Sequence, residues 1–349
     1  MRAPLRMPRL LLALAVAGVA WALAATAALV HGSSGFGPVD LVQTLFGAGL
    51  DDTQRAILLH ARLPRVFFAG FVGAALATAG AVFQAVLRNP LADPYILGVS
   101  GGAALGGTLL LTFGAVSLGG VMIGVPLAAF LGALGALGII FTVAGWTPPG
   151  HSGTYVLLLT GVIVNAFAAS VIMFLKSIVS AQKAQELLFY LMGSLAVEGT
   201  STLAMAGVAV VISACILGLL WLARDLNLMT LGDDEAASLG VDVARTRLVC
   251  VILSSIAVAV AVAYSGIIGF VGLVVPHGIR LLVGPDHRVL LPTCALGGAA
   301  FLTLADLLAR SAFGLFSTTL PVGVITSMIG APLFMVFLWR SLKSQGAMR

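Results

Sequence analysis

The stretch Arg88–Gly102, RNPLADPYILGVSGG, separates two long apolar runs and holds prolines, charges of both signs and glycines. Pro90 and Pro94 disfavour a helix through this connection, because proline has no N–H donor and restricts the residue before it. Asn89 and Asp93 carry side-chain oxygens that can accept hydrogen bonds from backbone groups left free by such breaks. The sequence therefore predicts a fixed, non-helical connection between two helices, although an ordinary tight turn would use the same residue types.

The chain on either side of this connection is apolar enough to be a polytopic membrane protein. It has 349 residues, of which 60% are hydrophobic and 9% charged, whereas a soluble domain has about 25% charged residues. Its apolar runs are unbroken rather than alternating, and a helix of about 20 residues crosses a bilayer. We therefore expect one all-α transmembrane domain over residues 1–349, a bundle of ten transmembrane helices. These are 10–30, 66–86, 95–113, 118–144, 154–175, 202–223, 246–264, 267–283, 289–308 and 322–340.

The basic residues indicate how such a bundle would sit in the membrane. The first run, 10–30, follows basic residues and could belong to a signal peptide, but it is long enough to span, and we interpret it as an uncleaved helix. With an even number of helices both termini lie on one side. Placing them in the cytoplasm puts 12 of the 18 Lys and Arg residues inside and 6 outside, in agreement with the excess of basic residues in cytoplasmic loops. The outside residues are Arg55, Arg62, Arg65, Lys176, Lys183 and Arg310.

The sequence contains no recognisable pattern of an enzyme. It has no G-x-x-x-x-G-K-[ST] phosphate-binding loop and no H-E-x-x-H zinc motif. Its three cysteines lie in apolar runs without paired spacing, and no metal-ligand cluster is present. The net charge of +5 argues little for nucleic acid in a membrane protein. We expect no catalytic residue, metal site or cofactor in this chain, and no nucleic-acid partner.

Polar residues inside the apolar runs are rare, which bears on how transport could be driven. An ion-coupled transporter keeps ionisable groups in its spans at functional sites. Asp306 is four residues before Arg310, which predicts a local ion pair near the outer surface. Asn165 either lines a path or bridges two helices. An ion-coupled secondary transporter and a membrane enzyme are therefore less well supported than a transporter driven by a separate ATPase.

The longest loop on the predicted inner side, 224–247, contains the sequence GDDEAASLGV. Its acidic residues suit the first turn of a short helix, where the helix dipole favours negative charge, and Gly240 would end that helix. A short helix with a small apolar surface suits the docking of a soluble partner, although it could also lie on the membrane surface. The acidic residues are Asp233, Asp234 and Glu235, and the apolar surface would consist of Ala236, Ala237 and Leu239.

The eighth predicted helix begins with glycines at every third position, Gly266, Gly269 and Gly272. We interpret them as a flat strip for close helix packing, with direct contact to a transported substrate as the alternative. Pro276 then disrupts the helix near its inner end.

Four long motifs, occurring in this order, resemble the permease subunit of the ABC importers for iron chelates, haem and cobalamin. They are RLPRVFFAGFVGAALATAGAVFQAVLRNPLADPYILGVSGGAALG, GDDEAASLGV, SGIIGFVGLVVPHGIRLLVGPDHR and LPVGVITSMIGAPLF, and the likeness extends over about residues 59–340. The resemblance implies a homodimer of ten-helix chains in the bacterial inner membrane, with a path along the two-fold axis. It also implies two cytoplasmic ATPases that bind ATP and Mg²⁺, and one external substrate-binding protein. A ferric siderophore is the first expected substrate, with cobalamin and haem next.

The resemblance further implies roles for individual residues at the inner end. Asn89 and Leu91 resemble residues of the cytoplasmic gate of the path, and Gly153 and Thr154 resemble a second gate element. The segment after Gly232 resembles the helix that couples the permease to its ATPase. Its residues are Asp233, Asp234, Glu235, Ala236, Ala237, Ser238, Leu239 and Gly240.

At the outer end, Arg62, Arg65 and Arg310 resemble arginines that meet acidic residues of the binding protein. Attraction between such charges mainly sets docking orientation and association rate, and anchoring to lipid headgroups is the alternative. One departure from the family pattern is Thr319, since an acidic residue often precedes the Leu-Pro of the last motif. A salt bridge from this position is therefore not expected here.

Overall fold

The computed structural model describes residues 7–31, 52–95, 97–114, 116–118, 121–145, 153–197, 200–313 and 318–346. Within these residues the chain is helical apart from one short hairpin and the connections. The first half contains α1 (Met7–Val30), α2 (Asp52–Ile57), a π-helical turn (Leu58–Arg62), α3 (Leu63–Val86), α4 (Val99–Phe113), strands β1 (Val116–Leu118) and β2 (Val121–Ile123), α5 (Val125–Gly145) and α6 (Gly153–Ile178). The second half contains α7 (Ala181–Leu191), α8 (Thr202–Trp221), α9 (Ala223–Met229), α10 (Asp233–Ser238), α11 (Val243–Ser265), α12 (Val271–Val283), α13 (His287–Ser311) and α14 (Val322–Gly346).

The apolar runs of the sequence form the long helices. In the described part of the chain, seven helical segments are long and apolar enough to cross a membrane, and three shorter apolar helices lie among them. Each predicted span coincides with one of these segments. The all-helical membrane fold is thus confirmed, whereas ten crossings and cytoplasmic termini stay predictions.

Three predicted spans, at 95, 118 and 267, began too early, and each error has a local cause. Helix α4 begins at Val99, because the loop before it continues to Gly98, whose φ of 78° is left-handed. Helix α5 begins at Val125, because β1 and β2 pair antiparallel in the preceding residues. Helix α12 begins at Val271, after Phe270, whose φ is 67°. Apolar composition alone does not distinguish these extended or turning residues from helix.

Helix α3 lies at the centre of the bundle, packed against α8, α11, α12 and α13. Most of its side chains are buried. Glycines permit its closest contacts, because a Cβ on Gly73 would strike the backbone of Gly298 in α13 and a Cβ on Gly80 would strike Gly272 in α12. Small residues are the usual means of bringing helix backbones together in a bilayer. The loop that follows α3 is therefore supported by a helix enclosed on several sides.

The first apolar helix is part of this packing. Helix α1 lies along α13, and Trp21 meets Phe67 of α3 edge to face, with ring centroids 6.3 Å apart. Arg62 donates hydrogen bonds to the carbonyl oxygens of Leu29 and Val30 at the end of α1. These contacts make α1 part of the described helix packing, and its interpretation as an uncleaved helix stays a prediction.

Candidate functional site

The loop between α3 and α4, residues 87–98, begins as a compact turn. The N–H of Asn89 donates to the Gln84 oxygen at 3.1 Å, and the N–H of Ala92 donates to the Asn89 oxygen at 3.0 Å. The Asn89 side-chain Oδ1 accepts the N–H of Leu91 at 2.9 Å. Leu91 is 42% exposed. An apolar side chain thus projects from a turn that its own hydrogen bonds hold in shape, and the predicted backbone-capping role of Asn89 is confirmed.

The second half of this loop is attached to two other elements. The hydroxyl of Tyr95 donates to the Ile268 oxygen and accepts the Ile268 N–H, both at 2.6 Å. Asn165 of α6 donates from Nδ2 to the Tyr95 oxygen. This hydrogen bond joins α6 to the loop rather than to a second helix, so a bridge between two helices and a role in lining a path both stay predictions for Asn165. The loop is therefore fixed at Tyr95 to both α6 and the segment before α12.

Asp93 caps the backbone in this second half, as the sequence predicted. Its Oδ1 accepts the N–H of Tyr95 at 2.8 Å. Burial raises the pKa of Asp93 to about 6, although the hydrogen bond from Tyr95 acts in the opposite direction. The carboxyl group is consequently easier to protonate than an ordinary aspartate.

The predicted second gate element lies at the start of α6. Thr154 belongs to the helix Gly153–Ile178, but its side chain lies outside the described residues. The gate roles of Asn89, Leu91 and Thr154 stay predictions.

The GDDEAASLGV segment forms the short helix α10, Asp233–Ser238, and Gly240 after it has a left-handed φ of 86°. Its predicted apolar surface needs one correction. Ala236 is fully buried, in a small cluster with Met229 and Val241, so it faces the protein. Leu239 is 56% exposed and Leu231, just before the helix, is 63% exposed. The outward apolar surface therefore consists of leucines at both ends of α10, together with exposed Ala237.

Asp233, predicted in the first turn of this helix, connects three elements. Its carboxylate lies 2.6 Å from Arg88 Nη2 and 2.8 Å from Arg247 Nη2. Partial burial raises the pKa of Asp233, but the hydrogen bonds and positive charges of Arg247 and Arg88 outweigh it and hold the pKa below its ordinary value. Asp233 is thus ionised, and it joins α10 to the α3–α4 loop and to α11.

The third segment at this end precedes α13. Asn227 of α9 donates to Asp286 at 2.7 Å and accepts the N–H of His287 at 2.8 Å. Asp286 also caps the helix by accepting the N–H of Arg288, whose guanidinium pairs with it at 2.6 Å. The hydrogen bonds from Arg288, followed by that from Asn227, lower the pKa of Asp286 to about 2 despite partial burial.

The outer arginines form a network within the protein. Arg65 and Arg310 both pair with Asp306, at 2.8 Å and 3.1 Å, so the predicted ion pair of Asp306 with Arg310 is confirmed. The Asp306 side chain is only 3% exposed, and those of Arg65 and Arg310 are 22% and 19% exposed. Arg62 is 8% exposed. These arginines hold α1, α3 and α13 together, and their role in docking a binding protein stays a prediction.

The glycines before α12 do not form the predicted strip. Gly266 and Gly269 precede the helix, and only Gly272 belongs to it. Gly266 has a left-handed φ of 67° and lies against the backbone of Tyr190, whereas Gly272 lies against Pro94 and the Leu76 oxygen. The helical strip is therefore wrong for Gly266 and Gly269, because the helix begins at Val271, whereas the predicted close helix packing is confirmed for Gly272, which lies against α3.

Thr319 is exposed, next to the start of α14. Among the described residues, no group of three or more His, Cys, Asp or Glu side chains is placed to hold a metal ion. Cys215, Cys250 and Cys294 are buried and unpaired.

Comparison with known proteins identifies the family. The model of the FecCD transport family matches residues 20–340. The chain belongs to this family. Relatives in the FecCD family include the hemin transport system permease protein of Yersinia pestis, 43% identical over 91% of this chain and 92% of that protein. The cobalamin import system permease protein of Halobacterium salinarum is 44% identical over 83% of this chain and 75% of that protein.

A solved structure shares the fold along nearly the whole chain. It is described as an inward-facing conformation of a metal-chelate type ABC transporter, and it matches with a TM-score of 0.80 and 34% identity, over 94% of this chain and 98% of that chain. The FecCD match includes the α3–α4 loop, α10 and the outer arginine network. The resemblance inferred from the four motifs is therefore confirmed.

Proposed function

We propose that this chain is the membrane permease of an ATP-driven importer for a metal chelate, with haem as the first candidate substrate. The observation that carries the proposal is the position of α10. The exposed residues Leu231 and Leu239 flank this helix, and its first residue, Asp233, is ion-paired to the α3–α4 loop. An element suited to docking an ATPase therefore contacts an element suited to closing a path.

The substrate proposal rests on the relatives. The sequence favoured a ferric siderophore, with cobalamin and haem next. The relatives described above are named for hemin and cobalamin, and the hemin permease matches nearly its whole length. On this basis we rank haem before cobalamin, and both before a siderophore.

The proposed assembly follows the family resemblance. Two copies of the chain would form the path in a bacterial inner membrane, with both termini in the cytoplasm. Two ATPases would bind at α10 and supply the ATP and Mg²⁺ sites, and an external binding protein would deliver the substrate. Asp233 pairs with Arg88 and Arg247, and the predicted topology assigns all three residues to loops or helix ends in the cytoplasm. Their contacts support the proposal that this end of the bundle is the inner end.

The binding protein would dock at the opposite end, near Arg62, Arg65 and Arg310. Asp306 neutralises part of the positive charge of these arginines. An acidic partner would therefore meet the combined field of the cluster rather than three separate cations. Attraction of an acidic partner would then be strongest at low salt, since a Debye length is about 8 Å at physiological ionic strength.

Transport into proteoliposomes tests the proposed function. The permease is reconstituted with its cognate ATPase and binding protein, and uptake of hemin, cyanocobalamin and a ferric siderophore is measured with and without internal Mg-ATP. We expect ATP-dependent uptake of hemin. ATP-dependent uptake of another chelate would replace the substrate, whereas uptake driven by a proton or sodium gradient without the ATPase would identify a secondary transporter and contradict the proposal.

A further inference from the structure

The ion pair between Arg88 and Asp233 connects the two elements to which the proposed function assigns docking and gating. Arg88 is the residue directly before Asn89, at the start of the turn that carries Leu91. Its Nη2 atom donates to the Asp233 carboxylate at 2.6 Å and to the Met229 oxygen at 2.8 Å. The guanidinium therefore lies between the last residue of α9 and the first residue of α10, where the carbonyl end of one helix and an acidic side chain both attract a cation.

The backbone of Arg88 is unusual in a way that supports a specific role. Its φ of 47° is left-handed, and only Arg88 and Phe270 have a positive φ among the non-glycine residues that the structure describes. A left-handed conformation is unfavourable for a residue with a Cβ. Asparagine or glycine would adopt it more easily, so the arginine is explained by what its side chain contacts rather than by the turn itself.

The carboxylate of Asp233 is shared in a way that joins α10 to the membrane domain at two points. Arg88 and Arg247 each approach it, one from the α3–α4 loop and the other from the first turns of α11. A displacement of α10 would therefore act on the loop and on a long membrane helix together. The other acidic residues of α10, Asp234 and Glu235, make no ion pair within the described residues.

The α3–α4 loop is also built to convert such a displacement into movement of Leu91. At its far end Tyr95 is fixed to Ile268 and to Asn165. At its near end Arg88 is attached to Asp233. The segment between them contains the hydrogen-bonded turn that carries Leu91, so a pull at Arg88 would act on Leu91 against the fixed end.

We propose that Arg88 and Asp233 are positioning residues that transmit movement of α10 to the α3–α4 loop, and that without their ion pair ATP binding no longer repositions Leu91. This inference rests on the proposed function, since it presupposes an ATPase at α10. It concerns the link between docking and gating rather than either of them.

The test follows the reactivity of a single thiol, which needs no knowledge of the substrate. Cys215, Cys250 and Cys294 are replaced, Leu91→Cys is introduced, and the complex with the cognate ATPase is reconstituted in liposomes. The rate of labelling by a maleimide reagent is compared without nucleotide and with Mg-ATP.

The variants Arg88→Ala, Asp233→Asn and their combination are then added, with Arg88→Lys as a milder change that keeps the charge. Arg245→Ala is the control, because Arg245 is exposed on α11 close to Arg247 and makes no ion pair within the described part of the chain.

We expect the labelling rate to depend on nucleotide in the parent and in Arg245→Ala, and this dependence to be lost in Arg88→Ala and Asp233→Asn while the ATPase still co-purifies. The double variant should be no worse than either single variant, because both remove the same contact. A nucleotide dependence that persists in Arg88→Ala would overturn the proposal, as would its absence from the parent. Loss of the ATPase from Arg88→Ala would make Arg88 part of the docking site instead. If the parent itself fails to retain an ATPase, the proposed function is the part that fails.

Discussion

At the scale of residues, one aspartate shared by two arginines organises each end of the bundle. The two clusters differ in exposure, because the Asp233 side chain is 44% exposed and that of Asp306 is 3% exposed. Water screens the exposed cluster, so its ion pairs contribute little to stability. The cluster around Asp306 is different, since removing this buried carboxylate leaves two largely buried arginines without a counter-charge. We therefore assign the Asp306 cluster to stability and the Asp233 cluster to movement.

The substitution Asp306→Asn tests the stabilising role. The amide has nearly the shape of the carboxylate but leaves Arg65 and Arg310 close together without a counter-charge. We expect a loss of about 3 kcal/mol in the free energy of unfolding, measured as a lower thermal midpoint in detergent. Glu186→Gln is the control, since Glu186 is exposed on α7 and its loss should change little. Equal midpoints for Asp306→Asn and the parent would contradict this role.

Asp286 should make stability depend on pH in the acid range. Its pKa is about 2 in the folded chain and 3.8 ordinarily, so the folded state holds its proton less tightly than the unfolded state does. Its stabilising effect is then fully present above the ordinary value and is lost as the pH falls towards the lower one. We expect Asp286→Ala to lower the thermal midpoint at neutral pH, and the midpoints of parent and variant to converge on acidification. A constant difference at every pH would mean that the charge of Asp286 contributes nothing.

At the scale of elements, close helix packing by glycine decides how α3 meets its neighbours. Gly80→Ala would place a Cβ against the backbone of Gly272, which a side-chain rearrangement cannot relieve. We expect a loss of about 1–3 kcal/mol in stability, typical of overpacking. Gly138→Ala in α5 is the matched control, because no atom lies within 4 Å of the Cβ it would add. Similar midpoints for the two variants would show that the α3–α12 crossing can open without cost.

The elements also show how much the sequence could predict. Unbroken apolar runs predicted the helices, and the turn formed by Asn89 and Asp93 was predictable because its hydrogen bonds join residues two apart. The contacts that connect elements left no such signal. Arg88 and Asp233 are 145 residues apart, and Arg65 and Asp306 are 241 apart. Single residues that are brought together only by tertiary packing have no local pattern.

Helix α10 should be the element through which an ATPase engages. Replacing Leu239 by Asp puts a charge on its exposed apolar surface without touching buried Ala236. A charge buried at an interface without a partner opposes docking strongly, so we expect ATPase co-purification and ATP-driven uptake to be lost while the thermal midpoint is unchanged. Leu239→Met, which keeps the apolar surface, should behave as the parent. If Leu239→Asp takes up substrate normally, the ATPase docks elsewhere.

At the scale of the whole molecule, the segments predicted to lie inside converge through direct contacts. The α3–α4 loop meets α10 through Arg88, and α9 meets the start of α13 through Asn227 and Asp286. The arginines predicted to lie outside meet Asp306 and the end of α1 at a separate site. A molecule with one linked set of loops at one end can change shape there while the other end stays fixed, which is the behaviour expected of a path that opens to one side at a time.

The last prediction concerns two copies of the molecule. If the chain is a homodimer with Leu91 closing the inner end of its path, the two Leu91 side chains should face each other across the two-fold axis. Their side chains are exposed within one chain, as a contact across such an axis requires. Leu91→Cys in a background without Cys215, Cys250 and Cys294 would then form a crosslinked dimer. A direct disulfide needs Cα atoms within about 7 Å, so bifunctional reagents of graded length are the better probe. We expect the shortest effective reagent to differ between the nucleotide-free and Mg-ATP states, and a crosslinked pair to block uptake.

Leu203→Cys is the control, because Leu203 is 84% exposed at the start of α8, on the predicted outer side. Crosslinking at this position should not depend on nucleotide. A Leu91→Cys pair that crosslinks equally in every state, with uptake unaffected, would show that the Pro-flanked loop is an ordinary turn and that the path closes elsewhere.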